Sequence, residues 1–270
     1  MLCVFCSSTA TPTKEHVYAR WIREGLWATG PTVITRAKLG EQRRSTTTGL
    51  TWILRRSVCR ACNGGWMSTY LEKPVKDWLL PPMRGQRIEF MPETQRLVAA
   101  WAVKTALMFE LKAKEDGRQV AVAPESNLTW LYDHRTDPVP PPGSQVWIAA
   151  VDAGLGTAGA QPGWHMVTTS MSPNDMEFYF VTFAVGNLVF QVAGQDFRQP
   201  DHLTRTGQSL AILQRPDWLI SYLTAIWPER SDLVRWPLSS RLKRSELSAF
   251  ASGKGTIAAR WRIAPIPRLG

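Results

Sequence analysis

The four cysteines of this chain fall as two identical Cys-x-x-Cys pairs, Cys3/Cys6 and Cys59/Cys62. Thiolates two residues apart can grip one metal ion from a tight turn. Two such knuckles complete a four-sulfur tetrahedral shell, the usual setting of structural zinc. The pattern therefore predicts that two well-separated turns close on a common ion. Disulfides and a redox pair fit less well. Met1-Leu2-Cys3 runs straight into the first knuckle with no signal-peptide pattern, so a cytoplasmic chain with reduced thiols is the expectation. A redox motif would need one exposed pair after a strand rather than two matched pairs.

Size and charge narrow the class. A chain of 270 residues holds one large domain or two smaller ones, and its apolar share of 44% supplies ample core. The longest apolar run, Leu97 to Leu111, is interrupted by Lys104 and Glu110, which argues against a membrane span and for a soluble globular protein. The net charge of +10 is uneven: +8 in residues 1–92, −4 in 93–235 and +6 in 236–270. A polyanion would therefore meet the cysteine-bearing segment and the tail, which points to DNA as partner, with RNA the other polyanion that charge admits.

Two parts follow from the punctuation of the chain, with a boundary near Pro92 after Pro81-Pro82. In the first part, residues 1–92, a short helix is expected from Cys62 to Glu72, ended by Pro74. The second part, 93–270, opens with an amphipathic helix over 94–115. Leu97, Trp101, Met108 and Leu111 share one face of it, while Arg96, Lys104 and Lys114 lie elsewhere. The period then changes to β-rich runs at Gln145–Val151, Trp164–Met171, Glu177–Val185 and Leu188–Gly194. Gly186-Asn187 predicts a tight hairpin between the last two. Pro138–Pro142 and Gly154–Gly163 are loops, and Trp218 to Trp227 is expected to be helical before a basic tail. The fold class is α+β with an antiparallel sheet. His134, His165 and His202 lack ligand-like spacing, and Trp101, Trp130, Trp147 and Trp218 are expected in the core.

Between the knuckles stands Lys14-Glu15-His16-Val17, and Asn63 directly follows the last cysteine. Together with Cys3-Val4-Phe5-Cys6 and Val58-Cys59-Arg60-Ala61-Cys62-Asn63, this ordered set resembles the zinc-framed branch of the HNH endonucleases. The resemblance covers roughly residues 1–75. It implies a zinc-braced ββα-metal domain that hydrolyses DNA phosphodiester bonds, in phage or bacterial defence settings. It further implies His16 as general base, with Glu15 and Asn63 holding a catalytic magnesium or manganese ion.

Elementary chemistry agrees with those roles. A neutral imidazole can take a proton from water at neutral pH, and a hard cation prefers oxygen donors. Strand alternation, however, points adjacent side chains to opposite faces, so Glu15 and His16 diverge on a regular strand. The asparagine that usually precedes the second knuckle has no counterpart in Ile53-Leu54-Arg55-Arg56-Ser57, and Trp66 and Met67 replace the usual basic residue of the helix. Arg43, Arg44, Arg55, Arg56 and Arg60 are the candidate phosphate contacts. Glu72 is expected to be a solvated carboxylate. A zinc-ribbon nucleic-acid-binding module without catalysis is the alternative.

Overall fold

A computed structural model describes residues 1–26, 53–116, 123–152, 178–198, 222–238 and 240–243, together with the strand backbones of 31–38, 41–48 and 165–170. The two N-terminal turns lead into β1 (Glu15–His16) and α1 (Arg20–Leu26). The hairpin β2 (Pro31–Lys38) and β3 (Glu41–Thr48) follows, and the chain returns as β4 (Ile53–Leu54). β1 and β4 pair antiparallel, Glu15 opposite Leu54 and His16 opposite Ile53.

From within the second cysteine pair a wide-wound helix, Ala61–Glu72, passes directly into α2 (Lys73–Met83). Pro74 therefore does not end the helix as the sequence suggested. It sits in the first turn of α2, where a missing N–H breaks no essential bond. Gly65, at φ −89° and ψ −107°, is the point where the wide-wound segment bends. The short strand β5 (Ile88–Phe90) then precedes α3 (Pro92–Glu115) and α4 (Glu125–Asp133).

The rest is mainly sheet. β6 (Gln145–Asp152), β7 (His165–Ser170), β8 (Phe178–Val185), β9 (Leu188–Gln195) and β10 (Leu223–Trp227) hydrogen-bond in the order β10-β6-β9-β8-β7. All these pairs are antiparallel, while β12 (Arg241–Lys243) joins β6 in parallel and β11 (Val234–Trp236) pairs β5. The α+β expectation is met. The Gly186-Asn187 hairpin forms, with Val185 opposite Leu188 and Gly186 at φ +58°. One element differs: Leu223–Trp227 is a strand, not the end of a helix, because Thr224, Ile226 and Trp227 suit a half-buried edge against β6. Residues 218–221 lie outside the described residues, as does the loop 154–163.

α3 crosses the sheet and is buried on nearly every side. Trp101 packs between Trp21, Phe183 and Phe190, and Phe109 bridges Tyr18 to Phe183. One apolar core thus runs from Cys3 and Phe5, through α3, to Trp236. Among the described residues, no helix is long and apolar enough to cross a membrane.

Candidate metal centre and the adjoining acid–imidazole cluster

The two cysteine turns are stitched together before any ion is considered. Val4 N–H donates to the Ser57 carbonyl at 3.0 Å, and Thr13 N–H to Val58 at 2.8 Å. Ser7 N–H returns to the Cys3 carbonyl at 2.9 Å, with Ser7 in the left-handed region at φ 53°, and closes the first turn. The sulfurs of Cys3, Cys6, Cys59 and Cys62 then all lie within 4.8 Å of one another. Cys3 Sγ is 3.8 Å from Cys62 Sγ, and Cys6 Sγ is 3.7 Å from Cys59 Sγ. Backbone N–H groups reach the sulfurs as well, Cys59 N to Cys3 Sγ at 3.5 Å and Cys62 N to Cys59 Sγ at 3.4 Å.

These separations match a tetrahedral ion. Zn–S bonds of about 2.3 Å place neighbouring sulfurs roughly 3.8 Å apart. The four cysteines, all free thiols, can hold a metal such as zinc. Burial raises the Cys6 thiol, but hydrogen bonds involving Ser8, Cys62 and Cys3 together outweigh it and bring Cys6 down to about 6. Burial pushes Cys59 and Cys62 up, and a bound cation would reverse that by stabilising the thiolates. Phe5 packs edge-on against Trp66 beside the cluster, at 5.6 Å between ring centres.

The same stitching sets the strand that carries Glu15 and His16. Asn63 Nδ2 donates to Thr13 Oγ1 at 3.0 Å and to the Lys14 carbonyl at 3.3 Å, tying the helix start to the lead-in of β1. Asn63 lies inside the first turn; the residue that precedes the helix, Arg60, makes no capping bond. β1 obeys strand alternation. Glu15 turns inward and is 4% exposed, whereas His16 is half-buried on the other face. Burial, then Arg20 and Arg23, hold the His16 imidazole below its ordinary pKa, which favours the neutral ring.

Inside, Glu15 meets a residue that lies off the apolar stripe of α3 and is buried all the same. Lys104, from the middle of α3, is buried, with its Nζ 3.1 Å from Glu15 Oε1 and 2.9 Å from Glu72 Oε1. Burial disfavours the ammonium, but Glu72 and Glu15 together outweigh that and raise its pKa. Glu72 is correspondingly not a free surface carboxylate; 18% of its side chain is exposed. For Glu15, burial outweighs Lys104 and raises the carboxyl above its usual range. The interruption of the apolar run at Lys104 is the sequence signal that marks this residue. Among the described residues, Glu15 Oε2 and Asn63 Oδ1 make no hydrogen bond.

The candidate phosphate contacts divide. Arg55 and Arg56 are exposed on the turn after β4, and both backbone N–H groups donate to the Glu115 carboxylate, at 3.0 and 2.9 Å. Arg60 is exposed between the paired cysteines. Arg43 and Arg44 lie on β3, with side chains outside the described residues. Elsewhere, His134 stacks on Trp130 at 3.9 Å between ring centres, Trp101 is core, and Trp130 and Trp147 are partly buried. The His165 side chain, His202 and Trp218 are outside the described residues.

No protein-family model, curated protein or solved structure matches this chain.

Proposed function

We propose that this protein is a zinc-braced, metal-dependent endonuclease of the HNH type that hydrolyses phosphodiester bonds in DNA. The observation that carries the reading is the closure of four sulfurs beside an antiparallel strand pair, with a helix whose first turn contains the last cysteine and Asn63. That order of strand, strand and helix around paired cysteines brings Glu15, His16 and Asn63 onto adjoining segments. Zinc would brace the segment by holding the cysteine turns together.

In this reading His16 takes the proton from the attacking water, a task suited to its neutral, half-exposed imidazole. Glu15 Oε2 and Asn63 Oδ1 fit a hard cation such as magnesium or manganese in donor type. When bound, that ion supplies charge stabilisation to the phosphate and the departing oxygen. Exposed Arg55, Arg56 and Arg60 hold the neighbouring phosphates, consistent with the +8 charge of residues 1–92. Reduced thiols and a DNA substrate suit a cytoplasmic setting.

The lack of an asparagine in Ile53-Leu54-Arg55-Arg56-Ser57, ahead of the second knuckle, favours a second reading, a zinc-ribbon module that binds nucleic acid without cutting it. Nicking of supercoiled plasmid with magnesium or manganese separates the two. The wild type is expected to nick, with activity retained to below pH 6.5. His16→Ala is expected to lose roughly 100-fold or more while still binding plasmid. Plasmid binding by a wild type that never nicks would leave the binding module.

A further inference from the structure

An ammonium buried halfway along an apolar helix is a costly way to fill space. Desolvating it costs several kcal/mol, and a methionine of similar volume packs without that penalty. Lys104 nevertheless stands there, 1% of its side chain exposed, and meets two carboxylates from different elements. Among the described residues, each carboxylate is engaged through one oxygen, Glu15 Oε1 and Glu72 Oε1. Glu15 is also the acid on which the nuclease reading depends for cation binding.

We propose that Lys104 is a positioning residue of this site: it holds Glu15 by Oε1 from behind and leaves Oε2 to face a divalent cation. Glu72 is the lysine's second anchor, which fixes the ammonium between two elements instead of letting it follow Glu15. Hydrogen-bonded partners behind ligating groups commonly set affinity by fixing orientation.

α3 is well suited to this task because it grips the strand pair at two places. Lys104 holds β1, and Glu115, eleven residues on and about 16 Å along the helix, holds the backbone of Arg55 and Arg56 after β4. The helix that crosses the sheet thus sets both the acid and the arginine turn. This gives the sheet-bearing part of the chain a direct role in the chemistry of the cysteine-bearing part.

The proposal rests on the nuclease reading, and manganese binding tests it without DNA. Mn²⁺ is titrated into zinc-loaded full-length protein and followed by electron paramagnetic resonance, with melting recorded alongside. The wild type is expected to bind one ion, and Asn63→Ala to weaken it. Lys104→Met should weaken it by roughly 10- to 100-fold. Glu72→Ala should weaken it by a smaller factor, and Glu72→Gln, whose amide oxygen still accepts from the lysine, should recover most of that loss.

Wild-type manganese affinity in both Lys104→Met and Glu72→Ala, with lowered melting, would reduce the lysine to a structural pair and leave the nuclease reading standing. No uptake by the wild type, or none that depends on Asn63, would remove that reading and this proposal together. If Lys104→Met does not fold, the Glu72→Ala and Glu72→Gln pair decides.

Discussion

Deleting the buried ammonium is a severe test of how α3 is held to β1. Lys104→Met leaves Glu15, with 5% of its side chain exposed, and Glu72, with 18%, facing each other without a counter-charge. Removing one partner of a buried ion pair costs about 3–5 kcal/mol. Glu72 recovers some hydration because it is partly exposed, which places the expected loss near the lower end, about 3 kcal/mol. At roughly 2 °C per kcal/mol for a chain of this length, the melting midpoint should fall by about 6 °C.

The loss should depend on pH in a stated direction. Burial already raises the Glu15 pKa against the pull of Lys104, and without the lysine the rise is larger. A carboxyl with a raised folded pKa binds more protons folded than unfolded, so its stability contribution is present at low pH and lost as pH rises through that pKa. The deficit of Lys104→Met relative to wild type should therefore shrink between pH 8 and pH 5. The double variant Glu15→Gln/Lys104→Met should regain at least about 1 kcal/mol over additivity, because it removes the stranded acid. Differential scanning calorimetry at the two pH values reads all of this. Equal deficits at pH 5 and pH 8, with additive single variants, would refute the ion-pair account.

Two further outcomes follow from the geometry. Cys59→Ala should lose bound zinc and unfold the segment around Phe5 and Trp66, since structural zinc supplies folding free energy to such turns; metal analysis and near-UV circular dichroism check it. Gly186→Ala should destabilise by about 2 kcal/mol or more in urea titrations. Its backbone sits at φ +58°, and a Cβ there would run into the Met83 carbonyl at the end of α2.

Much of the architecture is legible where a local rule decides it. Cys-x-x-Cys spacing needs only a tight turn to present two sulfurs, and the backbone bonds between Val4, Thr13, Ser57 and Val58 do the rest. The hairpin at Gly186-Asn187 follows from a glycine able to take positive φ between two apolar runs. Where tertiary context decides, the sequence misleads. Pro74 reads as a stop, yet the preceding helix hands over to α2 at that point and the proline falls in a first turn. Leu223–Trp227 can wind or extend, and the open edge of β6 selects the strand. For Lys104, periodicity registers only that a charge interrupts the apolar run and lies off its stripe, not that it is buried. Its partners Glu15 and Glu72 are 89 and 32 residues away, beyond any local pattern.

β1 is only two residues long, and its lead-in is tied to Asn63 through Thr13 and Lys14. A single codon gained or lost between Thr13 and Glu15 would shift the pleat by one and send the acid outward and the imidazole into the core. Spacing there thus constrains the site as strictly as residue identity does.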